Sequence, residues 1–130
     1  MSTVQQWAQA ITQYESGGNP NARNFRNNNP GNLRGTNFAG QVGVDSGGFA
    51  IFGTLDAGQA ALERDLTAKV SKYPDWSLLD VMRRYLGGGP GVDPPAGEGS
   101  AQNYAGYVAS QLGVSPDDPL ATIFSDSTAG

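Results

Sequence analysis

The stretch ITQYESGGNPNA, residues 11–22, places a glutamate where a helix ends and a turn begins. Residues 3–15 predict an amphipathic helix, because apolar side chains recur there at helical spacing, namely Val4, Trp7, Ala8 and Ile11. Glu15 continues this stripe one turn later, and the two glycines after Ser16 supply the positive φ that ends a helix. The pattern therefore puts a carboxylate at the rim of the core.

Two interpretations of Glu15 follow from this spacing. A glutamate near a helix end is usually a solvated charge, although at the C-terminal end it opposes the helix dipole. Apolar surroundings instead favour the neutral form of a carboxyl group, which is the form that donates a proton. Glu15 is therefore a candidate general acid, and the spacing alone leaves both interpretations open.

The composition excludes several kinds of site. The 130 residues suit one domain and contain neither cysteine nor histidine. A Ser-His-Asp triad, a histidine-based zinc site and a thiolate metal site are therefore excluded. If the protein is an enzyme, we expect its general acid or base to be Asp or Glu rather than Tyr or Lys. Nothing in the sequence indicates a metal or organic cofactor.

Charge and hydropathy bear on partners and location. The formal net charge is −4 and no basic run occurs, which argues against nucleic-acid binding. No apolar stretch approaches the ~18 residues of a membrane span. The N-terminus lacks the basic and apolar regions of a secretory signal, so we expect synthesis in the cytoplasm without a signal peptide. A target outside the cytoplasm would need another delivery route.

Residues 19–35 predict a long loop that is rich in asparagine. Pro30-Gly31 suits the centre of a type II turn, which needs positive φ at the glycine. The asparagines either stabilise turns or present amides to the hydroxyl and acetamido groups of a sugar. We take Asn29 and Asn32 as the candidates for the second role, with Ser16 as a partner of the Glu15 carboxylate or of the sugar.

Residues 41–53 predict a β-hairpin, because apolar residues alternate on both sides of a Ser-Gly-Gly turn. Asp45 lies beside that turn. It is either a residue that stabilises the turn, which is the favoured role, or a second carboxylate in a cleft.

Further helices are predicted downstream, opening at Thr54, at Asp75 or Ser77, and at Ser100, with a last helical turn in 115–124. The apolar face of the first includes Leu55, Leu62, Leu66 and Tyr73, and the arginines Arg83 and Arg84 are expected to lie outward. Residues 87–99 predict a surface loop bordering a cleft.

Tyr104 and Tyr107 are three residues apart in the helix after Ser100, so they share a face. They either pack in the core or line a sugar site. Overall the pattern predicts a mainly α member of the α+β class, with one domain at 1–124 and a flexible tail at 125–130.

The sequence also resembles a known family. QYESGGNPNA, residues 13–22, is similar to the E-S-x-x-N-P-x-A signature of lytic transglycosylases with the goose-lysozyme-like fold. RNNNPGNLRG (26–35), GGFAIFGTLDAGQAALERDL (47–66) and NYAGYVASQLGVSPDDPL (103–120) resemble small phage and bacterial peptidoglycan-degrading domains, including virion-associated transglycosylases. The resemblance covers residues 8 to 120.

The resemblance implies a lysozyme-like fold with the small hairpin beside a saccharide cleft. It implies cleavage of the MurNAc–GlcNAc β-1,4 bond with Glu15 as acid and then base, which forms 1,6-anhydro-MurNAc. Ser16, Asn29, Asn32, Tyr104, Tyr107 and Asp45 would contact the substrate, with Tyr104 positioning Glu15 or the oxocarbenium. The partner would be the peptidoglycan glycan strand. The small size of the domain, with a single site, separately favours a monomer.

Two alternatives stay open at this point. One is a lysozyme-type muramidase that uses water and a second carboxylate, for which Asp45 is the candidate. The other is a non-catalytic peptidoglycan-binding or virion structural module. Because the acidic net charge weakens attraction to anionic walls, we expect either delivery by a virion, a secretion partner or lysis, or a substrate encountered at high local concentration.

Overall fold

The structure, a computed structural model, describes residues 3–97 and 99–124, so the predicted tail at 125–130 lies outside the described residues. Across that part of the chain, helices predominate and two strands form an antiparallel sheet, which confirms the mainly α, α+β class. The elements in chain order are α1 (Val4–Ser16), α2 (Arg23–Arg26), β1 (Gln41–Val44), β2 (Ala50–Phe52), α3 (Leu55–Lys72), α4 (Leu78–Tyr85), α5 (Ala101–Leu112) and α6 (Leu120–Ile123).

The chain divides into two compact units. Residues Ala8–Leu66 form the first, which we call the 8–66 unit. Met1–Trp7 and Thr67–Gly130 form the second, which we call the C-terminal unit. The division falls inside α1 and α3, and the predicted extent of a single domain stays a prediction.

The 8–66 unit buries apolar residues from α1, β2 and α3. Ile11 and Leu62 have no exposed surface, and Phe52 is 1% exposed and pairs with the ring of Phe38 at 5.8 Å between centroids. Thr54 caps α3 by accepting the backbone N–H of Ala57 at 3.1 Å, as predicted. Leu55, expected on the apolar face, is instead 42% exposed, because it lies in the first turn of α3, at the end of the buried stripe.

The asparagine-rich segment, residues 19–35, was predicted to be a loop. It contains the short helix α2. The predicted type II turn is wrong as well. Gly31 is absent from the residues with positive φ, whereas Asn28 and Asn32 have φ of 51° and 49°. The turn closes through the N–H of Asn32, which donates to the carbonyl of Asn29 at 2.9 Å. Asparagine tolerates the left-handed region better than other non-glycine residues, which explains these positions.

The predicted hairpin is confirmed. β1 and β2 pair antiparallel, with Val44 opposite Ala50 and a bulge between Gln41 and Gly43. The sheet faces differ in environment: Ala50 is fully buried, whereas Val42 is 72% exposed. One face of the hairpin therefore joins the core and the other faces solvent.

The C-terminal unit is helical. Ser77 and Asp80 form a reciprocal capping box on α4, and Ser100 caps α5 by accepting the N–H of Asn103. Gly113 ends α5 with φ of 71°, as expected for a C-cap glycine. Trp7 stacks on Phe124 with 4.7 Å between ring centroids.

Two predictions for the C-terminal unit are corrected. Tyr73 does not complete an apolar face: it is 39% exposed and stacks on Trp76 at 4.1 Å, because it lies just after the end of α3. Arg83 does not point into solvent, since its side chain is 19% exposed and pairs with Asp80 and Asp93. Within the described residues, no helix combines the length and the apolar character needed to cross a membrane.

Candidate functional site

Glu15 lies in the last turn of α1 and is half-buried. Its Oε1 accepts a hydrogen bond from Nδ2 of Asn32 over 2.8 Å. The sequence predicted the position of Glu15 at a helix end, but it assigned Asn32 to the substrate. The amide of Asn32 instead holds the carboxylate.

The position of Asn32 follows from the turn that precedes it. The left-handed φ of Asn32 ends the Asn29–Asn32 turn and directs its side chain at α1. Asn24 fastens the same turn to the helix, because its Nδ2 donates to the carbonyls of Pro30 at 3.0 Å and Thr12 at 3.3 Å. Asn24 has no exposed surface, so this link between α1 and the loop is shielded from water.

The oxygen of the Asn32 amide has a different environment from its nitrogen. Oδ1 is buried and has no hydrogen-bond partner among the described residues. A buried acceptor without a donor carries a desolvation cost of roughly 1–3 kcal/mol. Such unsatisfied groups are uncommon in folded proteins, and a catalytic role is one of the explanations for them.

Asn29 is a structural residue in this fold, which corrects its assignment to the substrate. It has no exposed surface. Its Nδ2 donates to the carbonyls of Leu33 and Ala50, each at 2.9 Å, and its Oδ1 accepts the N–H of Leu33 at 2.9 Å. Both N–H donors and the amide oxygen are thus used to join the loop to β2, so the amide is not available to a sugar.

Ser16 completes the end of α1. The residue is 6% exposed, and its hydroxyl donates to the carbonyl of Gln13 at 3.4 Å and accepts the N–H of Gly18 at 3.2 Å. These bonds satisfy groups that a helix end leaves unpaired. The hydroxyl therefore shapes the turn that follows Glu15.

Asp45 has the turn-stabilising role that the sequence favoured. Its Oδ1 accepts the N–H groups of Gly47 at 2.9 Å and Phe49 at 3.0 Å. Its Oδ2 accepts Nδ2 of Asn27 at 3.0 Å and lies 3.6 Å from Nε of Arg23. The Asn27 amide, followed by the Phe49 N–H, holds the pKa of Asp45 below its ordinary value, and partial desolvation opposes this shift.

Tyr104 and Tyr107 belong to the C-terminal unit. Tyr104 is 1% exposed and meets the ring of Tyr85 edge-on at 6.1 Å between centroids, as a core residue would. Tyr107 is half-buried, one turn further along α5. Within the 8–66 unit, the structure brings the side chain of Asn32 from the predicted set onto Glu15.

The sequence did not single out Asn24 or Asn27, which hold the loop in place through the bonds described above. Their partners are backbone carbonyls and a carboxylate at sequence separations of 6 to 18 residues. The high asparagine content of the segment indicated a network of amide hydrogen bonds. It did not indicate which amide would bind which partner.

Comparison of the chain with protein families, with curated proteins and with solved structures gives no match. The resemblance of the four sequence stretches therefore stays a prediction.

Proposed function

We propose that the protein cleaves the β-1,4 bond between N-acetylmuramic acid and N-acetylglucosamine in peptidoglycan, as a lytic transglycosylase with Glu15 as acid and then base. The observation that carries the proposal is the half-buried carboxyl of Glu15 at the end of α1, with Oε1 held by Asn32 at 2.8 Å. A catalytic carboxyl needs a fixed orientation, and this hydrogen bond provides one.

The hydrogen bond also assigns separate tasks to the two carboxyl oxygens. Because Oε1 accepts an N–H, the neutral acid carries its proton on Oε2. Oε2 donates this proton to the glycosidic oxygen as the bond from C1 to that oxygen breaks. The leaving sugar gains a hydroxyl, and the acetamido group of the substrate stabilises the positive charge at C1.

The second step needs no further protein group. The carboxylate of Glu15 removes the proton of the 6-hydroxyl on the same muramic acid residue, and that oxygen bonds to C1. A 1,6-anhydro ring forms, Glu15 is again protonated, and no water is consumed. One carboxylate therefore suffices, because it donates and accepts a proton in alternation.

The bonding of Asp45 supports this mechanism over hydrolysis. A muramidase of the two-carboxylate type needs a second carboxylate to activate water or to attack C1. Both oxygens of Asp45 already accept hydrogen bonds from the turn and from Asn27. Its role in the hairpin accounts for its position without a catalytic task.

Mass spectrometry of the fragments released from purified peptidoglycan tests the proposal. The wild type is compared with Glu15→Gln, which keeps the shape of the side chain but cannot donate a proton. Glu63→Gln is the matched control, since Glu63 is also a half-buried helical glutamate. We expect fragments ending in anhydro-muramic acid from the wild type and the control, and none from Glu15→Gln.

The other outcomes separate the alternatives. Fragments one water heavier, with free reducing ends, would identify a muramidase. Binding to the wall without fragments, by both the wild type and Glu15→Gln, would identify a non-catalytic module.

A further inference from the structure

Two stacked aromatic rings lie at the surface of the C-terminal unit, in the connection between α3 and α4. The rings of Tyr73 and Trp76 have 4.1 Å between their centroids and 17° between their planes. Tyr73 is 39% exposed, which makes it the most exposed aromatic residue among those that the structure describes. Trp76 is half-buried. We call Tyr73 and Trp76 the aromatic pair.

Backbone hydrogen bonds fix the aromatic pair in place. The N–H of Trp76 donates to the carbonyl of Tyr73 at 3.0 Å and closes a four-residue turn, whose second position suits the fixed φ of Pro74. The carbonyl of Pro74 accepts the N–H of Ala121 at 3.0 Å. The carbonyl of Trp76 accepts the N–H of Leu120 at 2.8 Å, so the turn is fastened to α6. The two rings are therefore positioned before a ligand arrives, which lowers the entropy cost of binding.

The stacking leaves part of the Tyr73 ring open to solvent. One face of the ring lies against Trp76, so the exposed surface of the side chain lies on the other face, the edge and the hydroxyl. Burial does not explain this ring, because a large aromatic side chain stabilises a fold mainly by being removed from water. A rigid tyrosine at the surface instead offers contact area to a ligand at low entropy cost.

The surroundings of the aromatic pair favour a sugar as the ligand. Lys72, Pro74 and Asp75 are all exposed, so polar groups border the two rings. Two rings provide far less area than the ~800 Å² per partner of a stable protein interface. The net charge of −4 opposes a nucleic acid. A pyranose ring presents C–H groups that suit the negative face of an aromatic ring, and its hydroxyls suit the bordering charged groups.

We propose that the aromatic pair binds a pyranose ring of the peptidoglycan glycan strand through the outer face of Tyr73. This contact is additional to the candidate site at Glu15, since Tyr73 belongs to the C-terminal unit and Glu15 to the 8–66 unit. The inference rests on the proposed function, because it takes the glycan strand as the ligand. The contact needs no ionic attraction, so it allows an acidic protein to hold a wall that its net charge does not favour.

An NMR titration tests this inference apart from catalysis. The probe is the β-1,4-linked tetramer of N-acetylglucosamine, and the Glu15→Gln protein is used so that no bond is cut. The Tyr73 ring signals report direct contact with sugar protons through nuclear Overhauser effects, and the Trp76 indole signal reports affinity in every variant. Tyr73→Ala removes the ring and Tyr73→Phe keeps the ring without its hydroxyl. Val92→Ala is the control at an exposed apolar residue of the same unit.

We expect contacts between the sugar C–H protons and the Tyr73 ring, and a dissociation constant that rises about threefold to tenfold in Tyr73→Ala, as for one aromatic contact. Tyr73→Phe and Val92→Ala should retain the wild-type affinity. Higher salt should leave the affinity unchanged, because the contact is not ionic. A titration without contacts at Tyr73, or equal affinity of the wild type and Tyr73→Ala, would overturn the inference.

Failure of the proposed function would look different. Sugar contacts at Tyr73, in a protein whose wild type releases no fragments from peptidoglycan, would leave a glycan-binding module without catalysis. Release of anhydro fragments without contacts at Tyr73 would retain the enzyme and remove the second sugar contact.

Discussion

Asn32 donates through Nδ2 to Oε1 of Glu15 over 2.8 Å, while Oδ1 of the same amide is buried without a hydrogen-bond partner among the described residues. This arrangement suits a carboxylate, because only an acceptor can receive the N–H. The unprotonated oxygen of a neutral carboxyl accepts an N–H as well. The same hydrogen bond can therefore hold Glu15 in both protonation states that the proposed reaction requires.

Removal of the Asn32 amide should impair activity. Asn32→Gly is the suitable change, because glycine tolerates the φ of 49° without strain. We expect kcat to fall about 10- to 100-fold as the carboxyl loses its orientation.

Asn32→Asp sharpens this test, since a carboxylate has no N–H to donate to Oε1 of Glu15, and kcat should fall at least as far as in Asn32→Gly. Asn21→Ala is the control at an exposed asparagine of the same segment, and it should keep the wild-type kcat. Measurement of kcat for the wild type and the three variants checks this order. Wild-type kcat in Asn32→Gly and Asn32→Asp would contradict the role of Asn32.

Asp45 should make the stability of the protein depend on pH. The Asn27 amide and the Phe49 N–H hold the pKa of Asp45 below its ordinary value of 3.8 in the folded protein. The stabilisation is therefore fully present above about pH 4 and is lost as the pH falls through the lowered folded pKa. Asp45→Asn removes this contribution.

Thermal unfolding of wild type and Asp45→Asn between pH 7 and pH 2 measures this effect. The wild type should have the higher Tm at pH 7, and the difference should shrink below pH 4. A difference that is constant across this range would show that the carboxylate charge is not the cause. If the proposed transglycosylase mechanism holds, Asp45→Asn protein that is folded at pH 7 should keep its product.

The residues of the site differ in how far the sequence predicted them. The end of α1 and the place of Glu15 followed from a local pattern, because helical spacing and two glycines fix both. The hairpin and the caps of α3 and α5 also followed from local sequence patterns. The roles of Asn29 and Asn32 could not be predicted in this way, because the two residues lie in one turn and have identical side chains.

What distinguishes these two amides is the neighbour that the folded chain brings to each. Asn29 meets the carbonyl of Ala50 and Asn32 meets Glu15, at separations of 21 and 17 residues. Arg83 is a similar case, because its partner Asp93 lies in a loop that no periodic pattern positions. Sequence reasoning predicts which groups can form hydrogen bonds, but the tertiary fold selects the partners.

Gly58 and Gly106 form a matched pair of helix glycines with opposite expected responses to alanine. A Cβ on Gly58, in the first turns of α3, would collide with the backbone carbonyl of Asn28, whereas a Cβ on Gly106 in α5 meets no atom within 4 Å. Gly58→Ala should therefore destabilise the fold by about 1–3 kcal/mol. Gly106→Ala should stabilise it by about 0.5–1 kcal/mol, as expected for alanine in a helix.

Denaturant unfolding of both glycine variants checks this contrast. Stabilisation by Gly58→Ala would show that the asparagine-rich loop can move away from α3. In that case the position of the Asn29–Asn32 turn would not depend on this close approach.

Arg83 should control local opening of the glycine-rich loop at 87–99. Its Nη1 lies 3.1 Å from Oδ1 of Asp80 on α4, and its Nε lies 3.2 Å from Oδ1 of Asp93 in the loop. Asp80 also accepts the N–H of Gly91 at 3.3 Å. The Arg83 side chain thus links α4 to the loop. The Asp80 carboxylate accepts hydrogen bonds from both Arg83 and the loop residue Gly91.

Arg83→Gln should release the loop while leaving the helices folded, because partly exposed ion pairs each contribute only about 0.2–1 kcal/mol. We expect amide hydrogen exchange at Gly91 to accelerate several-fold, with little change in Tm. Arg84→Gln is the matched control, since Arg84 is the adjacent exposed arginine of α4. Equal exchange at Gly91 in the two variants would show that backbone bonds such as that between Gly89 and Val92 hold the loop without Arg83.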